Sequence, residues 1–135
     1  MGEVVEPLIG LPANSDGRVV RQLVSVAIVA RNESARIGVC LDSVLWADEV
    51  IVLDSGSEDN TREICRARGA KVLVQPWEGY SAQKNLAVGE ACHPWILSLD
   101  ADEVVSVPLR ESILKVLASD GPADGSRGTV MVSTD

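Results

Sequence analysis

The strongest constraint on the fold is a repeated alternation of short apolar runs with helical patterns. Four runs rich in Val, Ile and Leu begin at residues 23, 50, 71 and 95, and each is followed by a segment with helical spacing of apolar residues. Strands and helices that alternate in this way are typical of βαβ units. The sequence therefore predicts an α/β fold, with a mostly parallel, Rossmann-like sheet and flanking helices.

Changes in composition divide the chain into three parts. Residues 1–22 show no period and contain several Pro, Gly and Asn, which predicts a flexible tail with a short edge strand near Val19. Residues 23–119 form the predicted α/β domain. Residues 120–135 predict a flexible, Gly-rich connection followed by a further edge strand near Val130.

Polar residues mark the predicted starts of the helices. Asn32 or Ser34 is expected to cap the first helix, and Ser81 the third. The second helix is expected to begin at about Asn60, with Glu63 completing a capping box. These signals place each helix start shortly after the end of an apolar run.

The loops from strand to helix are predicted at residues 31–33, 54–59, 75–79 and 100–103. In a parallel sheet with right-handed crossovers, all such loops lie at the carboxyl edge. Open α/β sheets bind their ligands at this edge. We therefore expect the four loops to form one ligand-binding crevice.

Two acids, Asp100 and Asp102, follow the fourth apolar run and are separated by Ala101. In strand geometry, side chains two residues apart lie on one side. Mg²⁺ in proteins takes one or two carboxylates and leaves its other positions to water and phosphate oxygens. The pattern therefore predicts a metal site where a diphosphate leaving group would be stabilised. The alternative is a pair of solvated or helix-capping loop acids.

Asp54, at the end of the second run, allows three interpretations. It can start the turn at residues 54–57 by accepting hydrogen bonds from backbone N–H groups. It can recognise a nucleotide base through a ring N–H. The third interpretation is the phosphoacceptor of a response-regulator receiver, but that fold needs an acidic pair after its first strand, where this chain has Ala30, Arg31 and Asn32.

Three further polar residues near the predicted crevice have a structural and a functional interpretation. Asn32 and Glu33 either cap the first helix or contact a ribose hydroxyl. Lys84 is unfavourable near a helix N-terminus, so it is either simply exposed or close to an anionic partner. For the three tryptophans, we prefer packing in the core or at its boundary over a platform on which a sugar stacks: Trp46, Trp77 and Trp95.

Composition and missing motifs narrow the class of protein. A net charge of −8 argues against a nucleic-acid partner. The absence of GxGxxG and GxxxxGK[ST] argues against a dinucleotide site and a P-loop. Cys40 and Cys65 are predicted to be buried free thiols, which favours a reducing compartment. With no apolar run long enough to span a membrane and no signal peptide pattern, the predicted location is cytoplasmic.

The motifs together resemble those of family 2 glycosyltransferases of the GT-A fold. The resemblance covers about residues 23–106 and rests on four segments, which read ARNE at 30–33, DEVIVLDSGSEDNT at 48–61, GYSAQKN at 79–85 and WILSLDADE at 95–103. Any one of them would be weak, but four in this order and spacing are specific. They are similar to the branch that adds glucose or related sugars to lipopolysaccharide core and other envelope glycans.

The resemblance implies a role for each matching residue. The nucleoside pocket would be lined near Ala30, Arg31, Asn32 and Glu33, and Asp54 would contact uracil. Lys84 would face the base or the diphosphate. Asp100 and Ala101 would bind the donor nucleotide, and Asp102, with Asp100, would hold Mn²⁺ or Mg²⁺.

The resemblance also implies a reaction and its partners. A sugar would pass from a UDP-sugar donor to an envelope glycan or lipid-linked acceptor, with inversion, after a carboxylate deprotonates the acceptor hydroxyl. That base lies downstream of the metal motif in the family, so we expect residues 1–135 to be the donor-binding half, truncated after the donor site, with no general base. The alternative is a non-catalytic nucleotide-sugar-binding or interaction module. A homodimer, and peripheral membrane contact through absent segments, are further expectations.

Overall fold

The computed structural model describes residues 22–118 and the backbone of residues 128–131. Five strands and four helices alternate along this part of the chain: β1 (Val24–Ala30), α1 (Ile37–Asp42), β2 (Glu49–Asp54), α2 (Thr61–Ala67), β3 (Lys71–Val74), α3 (Tyr80–Gly89), β4 (Trp95–Asp100), α4 (Val107–Ala118) and β5 (Gly128–Met131). The predicted α/β alternation is therefore confirmed. The edge strand predicted near Val19 lies outside the described residues.

The strands form one five-stranded sheet in the order β3-β2-β1-β4-β5, and every pairing is parallel. The central strand is β1, where Val26 lies opposite Val50 of β2 and Leu97 of β4. A strand covered on both faces must be almost continuously apolar, and β1 is. The chain runs from β1 outward to β3 and then returns to the other side of β1. This reversal of direction opens a crevice at the carboxyl ends of β1 and β4.

Helices cover both faces of the sheet, and each face has its own apolar core. On one face, side chains of β1 and β4 pack with α1, α2 and α4, through residues such as Ile37, Cys65 and Leu117. On the other, Ala27 and Ile51 pack against Ala87 of α3. Small residues on α3 let this helix lie close to the sheet, beside the carboxyl end of β4.

The predicted caps of the helices are wrong. No side chain caps α1 or α2 by a hydrogen bond at its N-cap residue, Arg36 or Asn60, so Asn32 and Ser34 do not cap α1 and the capping box of α2 does not form. The third helix begins at Tyr80 after Gly79, not at Ser81. For α1 the physical reason is that the side-chain oxygen of Asn32 accepts a hydrogen bond from Glu58 N of the neighbouring loop.

Two cysteines lie in the core as predicted, and the remaining one is on the surface. Cys40 and Cys65 are buried free thiols, and Cys92 is an exposed one. Burial is the main cause that raises the pKa of Cys40 to about 12 and that of Cys65 to about 11. None of the helices in the described part of the chain is long and apolar enough to cross a membrane.

Candidate functional site

A cleft of about 410 Å³ opens at the carboxyl ends of β1, β2 and β4. Six of the nine predicted site residues line it: Ala30, Arg31, Glu33, Asp100, Ala101 and Asp102. The remaining lining residues are Val29, Ser55, Trp77 and Tyr80. All four predicted loops therefore contribute to one cleft, as expected from the parallel topology. Three predicted residues, Asn32, Asp54 and Lys84, lie beside the cleft without lining it.

The two acids after β4 have very different surroundings. Asp100 accepts a hydrogen bond at Oδ1 from Tyr80 Oη (2.6 Å), and the same oxygen lies 3.4 Å from Lys84 Nζ. Its backbone N–H donates to Glu103 Oε1 (2.8 Å), which closes the turn after the strand. Asp102 is exposed, and its side chain forms no hydrogen bond or ion pair with any other residue that the structure describes. One carboxylate is thus held by α3 while the other is open to a ligand.

The donor set fits a hard divalent cation that is completed by its substrate. Residues 22–118 contain no group of three or more His, Cys, Asp or Glu side chains that could hold a metal by themselves. Mg²⁺ needs no such group, since one or two carboxylates with water and substrate phosphates are its usual ligands. Asp100 and Asp102 supply two carboxylates at the wall of the cleft. They therefore fit a cation that binds together with a phosphate-bearing ligand.

Lys84 has an anionic partner within the chain. Its side chain is only 16% exposed, and Nζ donates to the hydroxyl of buried Ser98 (2.7 Å) in addition to facing Asp100. The ammonium group also lies over the ring of Tyr80, 5.1 Å from the centroid. Lys84 is therefore not simply exposed, and the anion that it faces in this structure is Asp100 of the same chain. Burial and the hydrogen bond to Asp100 raise the pKa of Tyr80.

Of the interpretations that the sequence left open for Asp54, the structure shows the one in which its side chain stabilises the turn at residues 54–57. Its side chain is 0% exposed and accepts hydrogen bonds from Gly56 N (3.0 Å), from the N and Oγ of Ser57, and from Arg62 Nη1 (2.8 Å). Burial alone would raise the pKa of Asp54, but these hydrogen bonds outweigh it and lower the pKa below its ordinary value. No atom of the carboxylate is open to a ligand in this structure, so a direct contact to uracil is not supported.

Ser55, the next residue, lines the cleft in place of Asp54 and is held by a buried amide. Gln83 Nε2 donates to Ser55 Oγ (2.9 Å) and to the carbonyl oxygen of Gln75 (3.3 Å), and the whole Gln83 side chain is buried. Sequence reasoning missed Ser55, Gln83 and Tyr80 as site residues. For Trp77 it preferred packing in the core or its boundary, but this side chain is 52% exposed and lines the cleft. The only available signal was that Gln83 lies four residues before Ala87, on the helix face that packs against the sheet.

Hydrogen bonds between two neighbouring loops shape the wall of the cleft. Asn32 has φ +52°, its N–H donates to Ser57 Oγ (2.8 Å), and its Oδ1 accepts from Glu58 N (2.7 Å). Asn adopts this left-handed conformation more readily than most residues. Glu33 N donates to Thr61 Oγ1 (3.0 Å), and Ser34 N to Asp59 Oδ2 (3.2 Å). Asn32 is thus used to join loops, which explains why it does not cap α1.

The sequence matches the family model described as Glycosyl transferase family 2 over residues 25–135, further toward the C-terminus than the motifs at 23–106. An uncharacterized glycosyltransferase of Rickettsia felis is 45% identical over 97 residues, which are 71% of this chain and 34% of that protein. The lipopolysaccharide core biosynthesis glycosyltransferase LpsC of Rhizobium meliloti is 32% identical over 108 residues, which are 76% of this chain and 40% of that protein.

Solved structures with the same fold include two synthases. Glucosyl-3-phosphoglycerate synthase of Mycobacterium tuberculosis has a TM-score of 0.59 at 28% identity, over 74% of this chain and 43% of that one. It has also been crystallised with Mn²⁺, UDP and glucosyl-3-phosphoglycerate. Mannosyl-3-phosphoglycerate synthase of Rubrobacter xylanophilus has a TM-score of 0.62 at 22% identity, over 74% of this chain and 37% of that one, and supports the fold alone.

These similarities agree with the sheet and the cleft in identifying a GT-A fold. The chain spans about a third of the length of the first curated relatives it matches. The family model covers well over half of the chain, and curated relatives above 30% identity share most of its length. The chain belongs to glycosyl transferase family 2.

Proposed function

We propose that this chain is the donor-binding part of a glycosyltransferase that uses a UDP-sugar together with Mn²⁺ or Mg²⁺. The observation that carries the proposal is the placement of Asp100 and Asp102 at the end of β4, in the wall of a cleft large enough for a nucleotide. The mycobacterial synthase that shares the fold has been crystallised with Mn²⁺ and UDP, which supports the same ligand class here.

In this proposal, different residues of the cleft bind different parts of the donor. Asp102, with Asp100, would hold the cation, which when bound would neutralise the diphosphate and stabilise it as a leaving group. Ala30, Arg31 and Glu33 would line the nucleoside end. From the β2–α2 loop, Ser55 rather than Asp54 lines the cleft and would contact the base.

The transfer step is a proposal for the whole protein. An envelope glycan or lipid-linked acceptor, inversion at the anomeric carbon and a carboxylate base are implied by the resemblance, and LpsC as a relative supports the envelope acceptor. No carboxylate of the described residues is assigned as that base. The free thiols support a reducing compartment, and we propose the cytoplasm, with the inner face of the membrane as the place of transfer. A homodimer and peripheral membrane contact stay predictions.

A calorimetric titration with UDP, in the presence and absence of Mn²⁺, tests the donor site. We expect Mn²⁺ to strengthen UDP binding to the wild-type chain, and Asp102→Asn to weaken it at least about tenfold, or 1.4 kcal/mol. Asp42→Asn is the matched control, because it makes the same change in an exposed surface ion pair with Arg68. Equal UDP affinity of Asp102→Asn and the wild type with Mn²⁺ present would contradict the site.

The alternative of a non-catalytic nucleotide-sugar-binding module predicts the same binding without sugar transfer. It remains open because no general base is assigned among the described residues. The enzyme and the binding module can be distinguished by an assay for UDP release. The full-length protein is incubated with a UDP-sugar and an envelope glycan acceptor, and only the enzyme should release UDP. Binding without release would favour the module.

A further inference from the structure

Two side chains of α3 reach the same oxygen of the metal motif. Tyr80 and Lys84 are one helical turn apart and therefore lie on one face of the helix. Tyr80 Oη is 2.6 Å from Asp100 Oδ1, and Lys84 Nζ is 3.4 Å from the same atom. Asp100 Oδ1 thus receives a neutral hydrogen-bond donor and a positive charge from α3. We call these two residues the α3 clamp.

Lys84 is held in a defined position rather than extended into solvent. Its ammonium donates to Ser98 Oγ (2.7 Å), and Ser98 is two residues before Asp100, on the same side of β4. The ring of Tyr80 lies 5.1 Å below the ammonium, within the range of a cation–π interaction. Asp100, Ser98 and Tyr80 therefore together determine where this charge lies.

The clamp makes the two acids of the motif unequal. Asp100 already faces a positive charge, whereas Asp102 has no side-chain partner among the described residues. Mg²⁺ bound through carboxylate oxygens would lie about 2.0–2.1 Å from them. Its charge would then be within a few ångström of the Lys84 ammonium, and the two would repel each other. A metal on Asp100 therefore binds less tightly while Lys84 faces the same carboxylate.

We propose that Lys84, positioned by Tyr80, competes with the divalent cation for Asp100, and that the competition is relieved when a nucleoside diphosphate offers Lys84 a second anionic partner. The inference rests on the proposed function, because it assumes a cation at Asp100 and Asp102. Its consequence is positive coupling: the metal alone binds weakly, and metal and nucleotide strengthen each other's binding. Tyr80 is a positioning residue in this scheme, since it acts through Asp100 and Lys84.

Binding of Mn²⁺ alone, followed by the electron paramagnetic resonance signal of the free ion, tests the competition without any catalytic assay. We expect Lys84→Met to bind Mn²⁺ about tenfold more tightly than the wild type, because the competing charge is lost. Lys84→Arg keeps the charge and should stay close to the wild type. Lys71→Met is the matched control, since Lys71 forms an ion pair (3.3 Å) with Glu90 on the surface, away from the cleft.

The same titration with UDP present tests the coupling. In the wild type, UDP should raise the affinity for Mn²⁺, and in Lys84→Met the factor by which it does so should be smaller. Tyr80→Phe keeps the ring and removes only the hydroxyl donor, so it should give tighter binding of Mn²⁺ alone with a smaller change, roughly threefold. Equal midpoints of urea unfolding establish that each variant is folded.

The results separate the clamp from the site itself. If Lys84→Met binds Mn²⁺ alone no more tightly than the wild type, or if UDP raises Mn²⁺ affinity by the same factor in both, the clamp is refuted while the proposed donor site stands. If neither protein binds Mn²⁺ with or without UDP, both the clamp and the proposed metal site are refuted. Tighter Mn²⁺ binding by Lys84→Met together with weaker coupling supports the clamp.

Discussion

Replacing Asp54 by Asn should destabilise the fold strongly, although it changes only a few atoms. The carboxylate is 0% exposed and accepts from two backbone N–H groups, from Ser57 Oγ and from Arg62. The two backbone N–H groups and Arg62 Nη1 all donate to Oδ2, and an Asn side chain can keep these three donors through its one carbonyl oxygen. Its amide nitrogen would then take the place of Oδ1 and is itself a donor, so it cannot accept from Ser57 Oγ.

The size of the effect follows from the bonds that are lost. Hydrogen bonds to a charged group contribute about 1.5–3 kcal/mol each. The bond from Ser57 Oγ is removed, and the bond from Arg62, whose side chain is 29% exposed, is weakened because its acceptor loses the charge, so the expected loss in free energy of unfolding is about 2–3 kcal/mol. Ser57 Oγ also accepts from Asn32 N, so the β1–α1 loop should loosen as well.

Urea unfolding followed by circular dichroism measures this loss, with Asp102→Asn as the matched control. Asp102 is exposed and has no side-chain partner among the described residues, so the same substitution there should stay within about 0.5 kcal/mol of the wild type. A loss below about 1 kcal/mol in Asp54→Asn would mean that the buried network does not stabilise the fold as argued.

The pH dependence of this difference has a defined sign. The folded-state pKa of Asp54 is lowered, so its stabilisation is complete above the unfolded value of about 3.9 and is lost as the pH falls through the folded pKa. The difference between wild type and Asp54→Asn should therefore be constant from about pH 6 to 8 and shrink below about pH 4. A difference that grows on acidification would refute the assigned direction.

Two further predictions concern other side chains of the chain. Of the three cysteines, only Cys92 should react with a thiol reagent in the native protein at pH 8, because Cys40 and Cys65 are buried and their pKa values are raised. All three should react in urea. Fast labelling of Cys40 in the native protein would contradict its burial. Trp77 lines the cleft and is 52% exposed, so Trp77→Ala should weaken UDP binding roughly tenfold in calorimetry if the indole stacks on the nucleotide, since stacking contributes about 1–3 kcal/mol per base. Trp77→Phe, which keeps an aromatic face, should lose less, and an unchanged affinity of Trp77→Ala would mean that the nucleotide does not touch this residue.

The strands could be predicted closely because burial on both faces leaves few alternatives. The observed starts of β1 to β4 lie within one residue of the predicted starts at residues 23, 50, 71 and 95. The burial argument applies to β1, β2 and β4, because every residue of β3 is exposed or half-buried. The helix caps were predicted poorly because a polar side chain in a loop has several possible hydrogen-bond partners. Asn32 accepts from Glu58 N of another loop, and Asp59 accepts from Ser34 N and from Thr61 N, the first residue of α2.

The sequence by itself determined the parallel sheet, the edge at which the cleft opens and the two acids at the end of β4. These features depend on the local apolar periodicity of each segment and on the general right-handedness of βαβ crossovers, and neither requires knowledge of distant contacts. Only the tertiary structure decided that Ser55 rather than Asp54 faces the cleft, because neighbouring side chains at a strand end point in opposite directions. It alone also showed that Tyr80 and Lys84 hold Asp100, since that contact joins α3 to β4 across 20 and 16 residues of sequence and depends on how closely the helix packs against the sheet.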